Sequence, residues 1–158
     1  DSDLLADAFR KFIAQPSFPC VGAKSALARG HMHFLVAREL TSAWDDLRIY
    51  SALFNFAELY RSKPALFQSF IVLFKGPLTL NEAQFEACLW DRLQSLTDKD
   101  SWHGQEHDAR VSANPNDPHF SLSFGNEAFF AVGLHPHANR PARRFSHPAI
   151  VFNPHDQF

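Results

Sequence analysis

Residues 120–158 read FSLSFGNEAFFAVGLHPHANRPARRFSHPAIVFNPHDQF, and this stretch decides the fold. Phe120, Leu122 and Phe124 alternate with serines up to Gly125-Asn126, a two-residue hairpin signal, and Glu127 to Leu134 returns as the partner strand. Pro148 to Phe152 supplies a further strand. Asn153 followed by Pro154 has the chemistry of a helix cap and first helical position, which predicts a helix starting there.

Upstream, Leu4, Leu5, Ala8, Phe12 and Ile13 lie at helical spacing within Asp3 to Ala14, and Pro16 ends that helix. Phe18 to Ala28 and His33 to Val36 are short apolar stretches that suit strands. Thr41 to Tyr60 predicts a helix with Trp44, Leu47, Ser51, Phe54 and Ala57 along one face, stopped at Pro64. Phe67 to Phe74, bounded by Gly76-Pro77, reads as a buried strand. Thr79 and Glu82 have capping-box spacing, and Phe85, Cys88, Leu89, Leu93 and Leu96 mark a helix to about Thr97. The polar run from Asp98 to Pro118 reads as a long surface connection. Without a regular βαβ alternation, these elements predict a single α+β domain with a mainly antiparallel sheet and flanking helices.

Composition sets the outer limits. At 158 residues and 46% hydrophobic content the chain encloses one core, not two. A net charge of −2 offers no general attraction for nucleic acid or an anionic membrane. No apolar run approaches the roughly 20 residues that span a bilayer. Two cysteines, Cys20 and Cys88, make no disulfide framework, and no signal peptide is visible, so a cytoplasmic protein is expected. Seventeen phenylalanines suit an aromatic core and equally a largely apolar ligand pocket.

Chemistry concentrates after the hairpin. Side chains alternate along a strand, so Phe129, Ala131, Gly133 and His135 share one face. Ala131 and Gly133 would clear a floor beside His135 for something flat, because a strand glycine commonly marks a close approach. Pro136 restricts His135 to extended geometry. A hydrogen-bonded histidine at a strand end accounts for the same pattern. Arg140, Arg143 and Arg144 follow, and guanidinium groups bind carboxylates through forked hydrogen bonds.

Three blocks carry a family resemblance: FPCVGAKSAL at 18–27, FEACLWDRLQSL at 85–96 and FFAVGLHPHANRPARRFSHPAIVFNPHDQF at 129–158. They resemble the YqcI/YcgG family, some of whose members are heme-dependent N-hydroxylases of guanidine groups, in the pathways to D-cycloserine and guanitoxin. The resemblance implies heme b with iron on His135, with His155 and Cys20 as alternative ligands. It also implies Arg140, Arg143 and Arg144 on propionates or a substrate carboxylate, and Phe129, Phe130 and Gly133 at the pocket. The implied co-reactants are dioxygen and an electron donor, with arginine or another guanidine as substrate, held through Glu127 or Asp156. A non-catalytic heme sensor or carrier is the alternative. The position of His137 is more often small in relatives, which ranks His135 above it. Relatives usually continue past the final Gln-Phe, through more arginines and a late Cys-Pro-Phe, so residues 1–158 are expected to lack the family's C-terminal segment.

Other motifs compete. Lys24 would stabilise a Cys20 thiolate, whereas Cys88, on an apolar helical face, packs as a small hydrophobe. His103-Gly104-Gln105-Glu106-His107 matches the H-x-x-E-H pattern of inverted zinc peptidases, but that chemistry needs a helix and Gly104 sits inside the motif. His31 and His33 would grip a metal only from an extended strand.

Overall fold

The computed structural model describes residues 2–19, 21–28, 30–64 and 67–157. Gly125 and Asn126 have φ of 58° and 64°, the left-handed pair that a tight hairpin turn requires. They join the third and fourth strands. The elements in chain order are α1 (Ser2–Ala14), α2 (Val21–Ala28), β1 (Met32–Glu39), α3 (Asp46–Ser62), β2 (Ser69–Gly76) and α4 (Glu82–Trp102). Then come β3 (Leu122–Phe124), β4 (Glu127–Leu134), a 3-10 turn at Pro141–Arg143, β5 (Ala149–Pro154) and a second 3-10 turn at His155–Gln157.

The strands form one sheet in the order β1-β2-β5-β4-β3. Only β1 and β2 run parallel, and α3 makes the crossover that a parallel pair needs. The other pairings are antiparallel, so the molecule is α+β with a mostly antiparallel sheet flanked by helices.

Each sheet face has its own core. Phe70, Val72, Phe74, Phe129 and Phe152 meet Leu53 and Phe56 of α3 and Phe85, Leu93 and Leu96 of α4. On the reverse face Ile71, Leu73, Leu134 and Ala149 meet Leu5, Phe9 and Ile13 of α1, with Phe145. Burial of β2 on both sides explains its unbroken apolar run.

Four local readings change. Val21–Ala28 is helical, not a strand, as suits its three alanines and a leucine. The helix α3 starts at Asp46, and its buried stripe is Ile49, Tyr50, Leu53, Phe56, Ala57 and Tyr60. Trp44 and Leu47 are 72% and 67% exposed, and the Arg38 guanidinium lies over the Trp44 ring. The helix α4 is capped two residues later than expected, by Asn81 and Gln84 in a reciprocal box, and runs on to Trp102. At the other end, Asn153 and Pro154 still belong to β5, because their pairing with Phe130 and Phe129 continues the ladder.

Buried polar pairs join these parts. The Arg92 guanidinium lies 3.1 Å from Asp46 and donates to the Leu40 carbonyl, tying α4 to the start of α3. Asp100 accepts from the Tyr50 hydroxyl and from the Gly125 amide, and Arg61 donates to the Gly125 carbonyl, so both helices hold the hairpin turn.

Candidate functional site

The side-chain alternation along β4 is as the sequence implies. Phe129 and Ala131 pack into the α3/α4 core, and Gly133 and His135 face α4 on the same side. The clear floor over Gly133 is absent. A methyl group there would lie 2.6 Å from the Phe85 ring, so the flat object beside His135 is the chain's own phenylalanine. The two rings stack at 4.1 Å with an 18° tilt.

His135 is 1% exposed, and neither ring nitrogen makes a hydrogen bond. Its Nε2 stands 3.5 Å from Glu82 Oε2, whose carboxylate accepts the Asn139 amide at 2.8 Å. Burial pushes the imidazole pKa down against the opposing pull of Glu82. The Asn139 amide is the largest influence holding Glu82 low.

The His135 amide donates to the Arg143 carbonyl, which brings the 3-10 turn back against the end of β4. Within that turn the three arginines separate. Arg144 donates to the Ala138 and Asn139 carbonyls and braces its own loop. Arg140 and Arg143 are exposed and make no ion pair with any described residue.

Arg140 and Arg143 border a cavity of about 560 Å³ that lies between the sheet and α1. Phe9, Ile13, Phe18, Ile71, Val132 and Val151 make its walls apolar, and Phe130 closes one side. A volume in the roughly 300–1,000 Å³ range with few polar groups suits an organic ligand. The His155 ring stacks on Phe130 at 4.5 Å. His135 faces the other side of the sheet. Cys20 lies outside the described residues.

A second, more polar cleft of about 290 Å³ lies over α4, between Glu82, Glu86 and Trp90 on one side and Asn139, Arg140 and Arg143 on the other. Arg140 and Arg143 therefore border both spaces.

Glu127 and Asp156 do come together, around a guanidinium that the chain itself supplies. Arg110 bonds Asp108 through two nitrogens, at 2.6 and 3.0 Å, and reaches Glu127 at 3.1 Å and Asp156 at 2.7 Å. Arg110 hydrogen bonds hold the buried Asp108 far below the usual carboxylate range, while burial pushes Glu127 up. Arg110 sits in the polar connection, where no periodic signal separates it from solvated neighbours.

The HGQEH segment is not a zinc helix. His103 caps α4, and Gly104 at φ 79° turns the chain away, so His103 and His107 share no helical face. His103 packs edge-on against Phe54, and His33 lies 5.2 Å from Phe56. Among the described residues no group of three or more His, Cys, Asp or Glu side chains is placed to hold a metal ion, and no helix is long and apolar enough to cross a membrane.

Two polar residues line the cavity floor, Ser69 and Asn153, joined by a 2.6 Å hydrogen bond; neither is a site candidate from sequence, where Asn153 reads as a helix cap. A polar residue at a strand position paired with an apolar row is the signal that could have marked them.

No curated protein and no solved structure matches the chain. One family model does, across residues 9–158, taking in both sheet faces, the cavity and the arginine turn, and on that match the chain belongs to the YqcI/YcgG family.

Proposed function

We propose that the chain is a heme protein whose cofactor sits between α1 and the sheet, and that it hydroxylates a guanidine or amine nitrogen. The observation that carries this reading is the 560 Å³ apolar cavity bordered by Arg140 and Arg143, neither of which makes an ion pair with a described residue. A heme fits these residues in kind: aromatic and aliphatic walls for the ring, and two cations for its propionates.

Although no histidine is among the described lining residues, His155 stacks on the wall residue Phe130, whereas His135 faces the other side of the sheet, and we assign the iron to His155. Phe9, Phe18 and Phe130 exclude water, and Arg140 and Arg143 fix the orientation of the acidic edge. Bound heme supplies the activation of dioxygen, which the protein's own side chains cannot perform. The net reaction places one oxygen atom in an N–H bond and reduces the other to water, with two electrons from an external donor. Arginine is the first substrate to test.

Hemin added to the purified chain should give a Soret band that survives desalting, and His155→Ala should lose it while His135→Ala keeps it. No retained band overturns the heme reading. With heme retained, reductant, dioxygen and a panel of guanidines and amines should give a product heavier by one oxygen by mass spectrometry. Absence of that product sinks the hydroxylase and leaves a heme carrier.

A further inference from the structure

The cleft over α4 carries opposite charge on its two walls. Glu82, Glu86 and Trp90 follow at four-residue intervals along one face of α4, and Arg140 and Arg143 face them from the 3-10 turn and its approach. Phe85 and Leu89 make an apolar floor. Among the described residues no ion pair joins a glutamate of one wall to an arginine of the other, so the walls do not neutralise each other.

The charges are poorly matched within their own walls as well. Glu86 makes no hydrogen bond or ion pair with a described residue. Glu82 accepts the Asn139 amide through Oε2, and the buried His135 ring, both nitrogens unpartnered, stops 3.5 Å from that same oxygen. Two carboxylates four residues apart on a helix repel one another, and a bound cation relieves them.

Two carboxylates face two guanidiniums, and the lining holds no further charge. An ion of either sign is therefore attracted by one wall and repelled by the other, whereas a ligand carrying both charges gains from each. Trp90, 49% exposed, adds a ring face for the cationic end. At about 290 Å³ the cleft lies at the small end of ligand pockets and suits a molecule of amino-acid size.

We propose that this cleft binds a small zwitterion, its carboxylate held by Arg140 and Arg143 and its ammonium group by Glu82, Glu86 and the Trp90 ring. Binding there needs no heme: the cleft lies on the sheet face opposite the cavity, and Glu86 and Trp90 line the cleft and not the cavity.

The test is an NMR titration of the isotope-labelled full chain, without hemin, using glycine, β-alanine, γ-aminobutyrate and ε-aminohexanoate, with acetate and methylammonium as single-charge controls. One member of the series should bind about tenfold more tightly than either control and shift the Trp90 indole N–H resonance, identified by its loss in Trp90→Phe. Affinity should peak at one chain length, because only a ligand that spans the cleft engages both walls. Glu86→Gln, a change at an exposed position, should weaken that ligand roughly 3- to 10-fold. Affinities no greater than those of the controls, no dependence on chain length, or an unchanged affinity in Glu86→Gln each overturn the proposal. Failure of hemin to bind leaves this result as it stands, and failure here leaves the heme reading as it stands.

Discussion

His135 lies flat against Phe85, ring centroids 4.1 Å apart, with both imidazole nitrogens lacking a hydrogen bond and Glu82 just outside bonding range at 3.5 Å. Burial lowers the folded-state pKa below the ordinary 6.5, so protons bind the unfolded chain more readily. The stability this group contributes is complete above about pH 6.5 and is lost as pH falls through the folded value. His147, also lowered by burial, acts in the same sense. The melting temperature should therefore fall as pH drops below about 6.5. In His135→Gln that slope should flatten, and an unaltered slope would show that His135 titrates the same way in both states.

Gly133 has no room for a side chain. A Cβ would meet two Phe85 ring atoms at 2.6 and 2.8 Å and Leu89 at 3.0 Å. Gly133→Ala should cost about 1–3 kcal/mol in urea unfolding. In a Phe85→Leu background the cost should shrink, because the clashing ring is gone.

Asp108 is buried and accepts from the Ala128 amide, the Arg110 amide and the Arg110 guanidinium. Asp108→Ala should destabilise by about 2–3 kcal/mol, less than for a wholly buried pair because the Arg110 side chain is 53% exposed. Arg110 is the main cause of the depressed Asp108 pKa, so its contribution is present above the ordinary 3.8 and lost as pH falls below it. Calorimetry of the variant at neutral and acidic pH should show the deficit narrowing in acid.

The arginine turn predicts a division of labour. Arg140→Ala and Arg143→Ala should leave the melting temperature within about 0.5 kcal/mol of equivalent stability and weaken hemin retention roughly tenfold or more. Arg144→Ala should do the reverse, since its guanidinium is spent on the Ala138 and Asn139 carbonyls. Equal hemin retention in all three variants would detach the turn from the cavity.

The hairpin was readable because Gly125-Asn126 is a local signal, needing no knowledge of the rest of the chain. The α4 periodicity was readable for the same reason, although Asn81/Gln84 and Thr79/Glu82 share the capping spacing and only the backbone path distinguishes them. Val21–Ala28 was misread because eight largely apolar residues show no polar face by which period 3.6 could be told from period 2. Alternation placed His135 and Gly133 on one side of β4. Which side held open space depended on where α1 and α4 pack, and that information lies more than 40 residues away in the sequence.

Of the five described strands, the one at the centre of the sheet is made last. With β5 between β2 and β4, a nascent chain stopped before residue 149 carries two unsatisfied strand edges and neither finished core. During synthesis the β1-β2 pair and the β3-β4 hairpin wait as separate pieces, each exposing phenylalanines, until Ala149–Pro154 leaves the ribosome and joins them. Production of this protein should respond strongly to chaperone supply and to slower translation, and truncations that remove β5 should accumulate as aggregates rather than as smaller folded units.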